Sequence, residues 1–99
     1  MRVISNRALT DFAAANAANL PGAGVALQAW RKIVEGNHFA DYAALKAAFN
    51  ATDRAGDYYI FDVSGNKIRL IATIHFNRQM LFVRHVFTHK EYDRWNKLR

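Results

Sequence analysis

Within twelve residues, Val83 to Arg94, the chain gathers Arg84, His85, His89, Lys90, Tyr92 and Arg94. Upstream, Lys67, Arg69 and His75 recur at even spacing along a stretch of alternating polarity. Side chains of these types can cut RNA without a metal. A base removes the ribose 2′-hydroxyl proton, cations hold the charge that builds on the phosphate, and an acid protonates the departing oxygen. Histidine serves either proton transfer near neutral pH. Arginine grips a phosphate with a two-pronged fork, lysine acts as a point charge, and tyrosine stacks on a base or donates its hydroxyl.

Each of these residues also has a plain structural use. His85 and His89 are four apart, but a strand end followed by a helix start does not put them on one helical face. No carboxylate cluster accompanies them, so a metal pair is not expected. Adjacent residues of a strand face opposite ways, so one of Arg84 and His85 is expected to point into the helix-packed face. Trp95 reads as a core anchor, while Tyr92, three residues earlier, is left open between anchor and base-stacking group. His38 follows Gly36-Asn37 and reads as a loop or cap residue. Trp30 reads as a buried aromatic beside the solvated pair Arg31-Lys32. Arg69 could simply pair with Asp62 on a neighbouring strand.

The elements that must position these groups divide the chain in two. Ser5 or Asn6 can cap a helix from about Arg7 to Ala18, and Asn19-Leu20-Pro21-Gly22 ends it. A second helix carries Val25, Ala26, Ala29, Trp30 and Ile33 at i, i+3, i+4 spacing and stops at Gly36-Asn37. A third follows Asp41, with Tyr42, Leu45, Ala48 and Phe49 on its stripe. Met1 to Ser5 is compatible with a short strand.

The second half changes period. Tyr58 to Val63 is aromatic and β-branched, and Ser64-Gly65-Asn66 is a turn signal. From Lys67 to Phe76, the residues Ile68, Leu70, Ala72, Ile74 and Phe76 fall on one face, with Lys67, Arg69, Ile71, Thr73 and His75 on the other. That second face is expected to be outer surface, because only the C-terminal helix and loops remain to cover it. Asn77-Arg78-Gln79 turns the chain into a strand from Met80 to Phe87. Thr88 and Glu91 form a capping box that opens a short helix, His89 to Lys97. Helices, then an antiparallel meander, then a terminal helix define an α+β class.

With 99 residues, the chain suffices for one domain and one core. Hydrophobic residues at 52% and charged residues at 22% exclude wholesale disorder. Lys and Arg number 14 against 8 Asp and Glu, a net charge of +6. Residues 66–99 alone hold eight basic and two acidic side chains, the whole net excess. Charge concentrated in this way suits a polyanion, either nucleic acid or an anionic membrane; the plain alternative is a charge that serves solubility. There is no cysteine, which excludes disulfides, thiolate nucleophiles and Cys-ligated zinc. No signal peptide or membrane span is apparent, and a cytoplasmic protein is expected.

Two segments carry a family resemblance. Tyr59 to Ile71, with Gly65-Asn66-Lys67-Ile68-Arg69-Leu70, and Phe82 to Asp93, with Thr88-His89-Lys90-Glu91-Tyr92-Asp93, resemble in tandem the HigB family of type II toxins. That family lies within the RelE-like superfamily of mRNA interferases. Arg2-Val3-Ile4-Ser5, Ala29-Trp30 and the segment from Phe39 to Phe49 extend the likeness over nearly the whole chain.

The resemblance implies a RelE-like fold and a ribosome-dependent endoribonuclease that cuts mRNA in the ribosomal A site. It also implies a helix-turn-helix antitoxin of the HigA type. Arg69 matches the strand arginine that contacts the scissile phosphate, with Lys67 as helper, and Arg84 would share the neutralisation. His89 would move the proton and Tyr92 would stack on or orient the mRNA. Lys90, Arg94, Lys97 and Arg99 would contact ribosomal RNA. No metal or other cofactor is expected. A non-catalytic basic nucleic-acid-binding module, or a regulator acting by protein contact, competes with this reading; so does a metal-dependent nuclease using His85 and His89.

Overall fold

The computed structural model describes residues 1–99. In chain order the elements are β1 (Arg2–Ile4), α1 (Asn6–Ala15), α2 (Ala23–Glu35), α3 (Tyr42–Ala48), β2 (Asp53–Ala55), β3 (Tyr58–Val63), β4 (Ile68–His75), β5 (Met80–Thr88) and α4 (His89–Leu98). The β-branched and aromatic run of β3 pairs antiparallel with β4, and β4 with β5. Ser64 and Gly65, both at positive φ (57° and 66°), close the β3–β4 turn. A 3-10 turn, Phe76–Arg78, joins β4 to β5.

The expected meander is thus present, with two strands added at its edges. β2 forms a hairpin with β3 through Gly56 (φ 62°) and was not anticipated. β1 pairs parallel with β5, Arg2 opposite Met80. The sheet order is β1-β5-β4-β3-β2, so the sheet is mixed where an antiparallel one was expected. Its α+β class is as expected.

Helices α1, α2 and α3 cover one face of the sheet. Ile68, Leu70 and Ala72 are buried there, Ile74 and Phe76 pack alongside, and Tyr59, Phe61, Val63 and Leu81 join them. The inner face of β4 is therefore the one its alternation marks. Leu9, Leu27, Val34 and Leu45 descend from the helices with no exposed surface. Trp30 meets Phe61 edge to face at 5.2 Å between ring centres.

Helix details depart from expectation for local reasons. α1 ends at Ala15, because Asn16 turns its side-chain amide back onto the Phe12 carbonyl (2.9 Å). α2 buries Ala23, Leu27, Trp30 and Val34 rather than the stripe through Val25 and Ile33, which are 80% and 47% exposed. Both stripes share Trp30; the sheet selects the one that carries Leu27 and Val34, rotating Val25 and Ile33 to the surface. In α3, Ala44 packs on the core and Ala48 is exposed.

The opposite face of the sheet carries α4. Thr88 caps it as expected, accepting from the Glu91 amide (3.3 Å) while Glu91 accepts from the Thr88 amide (2.8 Å). This face is not bare surface. Ile71 and Ile60, opposite one another on β4 and β3, are 0% and 4% exposed and form a second, smaller apolar layer. No helix is long and apolar enough to cross a membrane.

Candidate functional site: the α4 face of the sheet

A β-bulge decides which side chains reach this face. Ile71 pairs with His85 but Ala72 pairs with Val83, so Arg84 is the extra residue of β5. Val83 and Val86 pack on the main core, while Arg84 and His85 between them both project to the α4 side. The expectation that one of the pair points into the helix-packed face is therefore wrong. A bulge breaks the period-2 alternation on which that expectation rests.

At one end of the face lies Arg69. Its guanidinium pairs with Asp62 at 3.0 Å, with the two side chains 12% and 24% exposed. Asn66 accepts a longer bond from Nη2 at 3.4 Å, and the Tyr92 ring lies 5.7 Å from the guanidinium carbon. Nη1 is buried and has no acceptor. A buried donor without a partner costs about 1–3 kcal/mol. The structural alternative for Arg69, pairing with Asp62, is thus present, yet it leaves one donor free.

His89 opens α4 at this end, exposed and 3.4 Å from Asp93. Lys67 does not join Arg69. It sits exposed in the β3–β4 turn, against the α1–α2 loop around Asn19–Ala23.

The middle of the face is aromatic. Trp95 is half-buried, with Tyr58, His85, Phe87 and Tyr92 around it at ring-centre distances of 5.5, 5.7, 5.9 and 6.1 Å. Trp95 is an anchor as expected, but on the α4 face rather than in the main core. Tyr92, left open from sequence, lies between this cluster and Arg69. His85 stacks flat on Phe87 at 4.9 Å, and burial lowers its pKa below the usual imidazole value. His85 is part-buried against Phe87 and Trp95, while His89 is exposed beside Asp93.

At the other end an open trough follows the β2–β3 turn. Arg84 and Arg99 line it together with Gly56, Asp57, Tyr58 and Thr73, and it continues past His75 to Arg54. Arg54 and Tyr58 were not picked out from sequence. Ala55-Gly56-Asp57 is a hairpin signal that, read as a turn, would have placed Arg54 opposite Tyr59. On α4, Tyr92, Trp95 and Arg99 share the sheet-facing side, whereas Lys90, Arg94 and Lys97 form an exposed stripe at i, i+4, i+7.

The chain has close relatives in kind. The family model for HigB toxin, the RelE-like toxic component of a toxin-antitoxin system, matches residues 23–95. The mRNA interferase toxin HigB of Escherichia coli strain K12 is 33% identical over 96 residues, spanning 94% of this chain and 88% of that protein. The mRNA interferase HigB of Shigella flexneri matches to the same extent. A further mRNA interferase HigB, from Escherichia coli O6:H1, is 31% identical over 77 residues, 75% of each chain. The family match includes Arg54, Arg69, Arg84, His89 and Tyr92, and stops short of Lys97 and Arg99. With its α+β fold and its basic face, the chain belongs to the HigB family of RelE-like toxins, and membership in a toxin-antitoxin family implies an antitoxin partner.

Proposed function

We propose that this chain is an mRNA interferase, an endoribonuclease that stops translation by cutting mRNA on the ribosome. The observation that carries the reading is Arg69: a largely buried guanidinium on the α4 face, paired with Asp62 and lying against the Tyr92 ring beside His89 at the start of α4. In the reaction the ribose 2′-oxygen attacks the adjacent phosphorus and the bond to the 5′-oxygen breaks. A 2′,3′-cyclic phosphate remains on the upstream fragment and a 5′-hydroxyl on the downstream one. Arg69 holds the charge that builds on the phosphate. His89 moves the proton, since it is exposed beside Tyr92 and Arg69 where His85 is part-buried. Tyr92 lies over Arg69 and orients the nucleotide.

Arg84 supports the RNA from the far end of the face, whereas Lys67, against the α1–α2 loop, is not placed to help Arg69. Lys90, Arg94 and Lys97, the exposed stripe of α4, contact ribosomal RNA; Arg99, on the sheet-facing side, does not belong to that contact. Neither a metal nor another cofactor takes part. A helix-turn-helix antitoxin of the HigA type holds the toxin inactive in the cytoplasm.

The Arg69–Asp62 pair favours one competing reading, in which Arg69 only ties β3 to β4 in a non-catalytic RNA-binding module. Induced expression with mapped mRNA 5′ ends separates the two. Wild type should create new ends within translated messages, and Arg69→Ala should lose them, as removal of a charge-stabilising donor typically costs about 100–1000-fold in rate. A folded Arg69→Ala protein that cuts and arrests growth as well as wild type would refute this site. Cleavage should also survive EDTA.

A further inference from the structure

We propose that the trough along the β2–β3 turn is a binding site for the phosphodiester backbone of single-stranded RNA, built by Arg54, Arg84 and Arg99. This rests on the mRNA-interferase reading and gives that enzyme a second anion site besides Arg69. The three arginines come from β2, β5 and the end of α4; Arg54 and Arg84 line one hollow, Arg84 and Arg99 the next, and the two adjoin at Asp57, Thr73 and Arg84 to make the trough. Arg84 is there only because the bulge turns it out of the alternation.

Each guanidinium is held in place without being neutralised. Arg84 donates through Nε to the Thr73 hydroxyl at 2.9 Å and lies 5.2 Å from the Phe82 ring centre. Arg54 donates through Nε to the Gly56 carbonyl at 3.1 Å, over Tyr59 at 5.5 Å. Arg99 donates through Nη2 to Asn96 at 2.6 Å, over Trp95 at 4.8 Å. Anchoring through Nε leaves both terminal nitrogens of Arg54 and Arg84 for a two-pronged grip on phosphate.

Carboxylates sit beside Arg7, Arg31 and Arg69 within ion-pair distance, but beside none of these three. Asp57 is the one acidic side chain in the lining, against three arginines, and the trough keeps a net positive charge.

The shape suits an extended strand with its bases splayed. His75 is exposed in the lining and Tyr58 half-exposed, which offers surfaces on which bases can stack. Arg84 lies three residues along β5 from Phe87, the partner of Arg69, a separation of roughly 10 Å at the rise of a strand. One RNA strand can therefore cross both sites. An acidic protein segment would meet the same cations, but it would not use the continuity with Arg69.

The test uses a fluorescent single-stranded RNA methylated at every 2′-oxygen, which can bind but cannot be cut. Its affinity for the full chain is measured by anisotropy across a range of salt, for wild type, Arg54→Gln, Arg84→Gln, Arg99→Gln and the triple variant. Each substitution should weaken binding roughly tenfold at low salt. Each should also reduce the slope of log K against log salt by about 0.7. Arg7→Gln and Lys32→Gln, on α1 and α2, should change neither.

Unaltered affinity and slope in the triple variant overturn the site. So does a variant set that loses antitoxin affinity while keeping the RNA. Arg54 and Arg99 are both exposed and carry the test should Arg84→Gln fail to fold. Absence of new mRNA ends with wild type sinks the interferase reading instead, and the methylated-RNA titration still judges the trough alone.

Discussion

Two basic side chains of the α4 face, Arg69 and His85, are both part-buried, and burial acts on them differently. Arg69 is charged and nearly buried, and its cost is met partly by Asp62 and partly by the Tyr92 ring. His85 is pressed between Phe87 and Trp95, and burial favours its neutral form. Its folded pKa is lowered, so the folded chain binds fewer protons here than the unfolded chain does. Stability from this group is therefore fully present above the unfolded pKa of about 6.5 and is lost as pH falls through the folded value. Urea melts from about pH 7.5 down to pH 5 should show wild type losing stability relative to His85→Phe, which cannot titrate. Equal slopes for the two would remove burial of the imidazole as the cause. At this scale the sequence showed which residues were available, and it even allowed the Arg69–Asp62 pair. It did not show that Nη1 is left without an acceptor, because that depends on where α4 settles.

At the scale of elements, α4 is the part that turns an outer sheet face into a site. It has no fully buried residue of its own and is held by its cap, by Trp95 and by Tyr92. Thr88→Ala removes the cap and should cost about 1 kcal/mol, measured by chemical denaturation. Trp95→Ala should undock the helix while the α1–α3 core stays folded. Hydrogen exchange would then show protection lost from His89–Leu98 and kept in α2 and β4, with cleavage lost as well.

The cap and the ends of α4 were legible from Thr88 and Glu91, since capping is a local interaction. The bulge was not, because the extra residue of β5 is visible only against the register of β4. β2 was missed for a related reason. Three residues are too short for a periodic signal, and the hairpin rests on Gly56 instead.

Across the whole molecule the two sides of the sheet divide the work. The α1–α3 side makes the main core, and the α4 side gathers Arg69, Arg84 and Arg99 over a thin apolar layer of Ile60 and Ile71. The exposed stripe of Lys90, Arg94 and Lys97 faces away from the sheet and is free to meet a second polyanion. Replacing all three with Gln should reduce co-sedimentation with ribosomes while leaving the thermal melt unchanged; undiminished co-sedimentation would take these residues out of ribosome contact. Leu27→Ala, in the main core, should instead cost about 2–5 kcal/mol without altering the salt dependence of RNA binding.

The sequence by itself determined the α+β class, the inner face of β4, the capped final helix and the location of the basic excess in residues 66–99. Each of these follows from neighbours along the chain: residue period, turn chemistry and charge count. Tertiary structure decided that α2 turns Leu27 and Val34 inward, that β1 joins in parallel, and that Lys67 stays away from Arg69. It also decided that Arg84 and His85 share one face and that Arg54 meets Arg84 in the trough. Those outcomes depend on register and on the docking of segments far apart in sequence. A pattern of period 2 or 3.6 fixes the alternation within an element, but not the single residue by which two strands fall out of step.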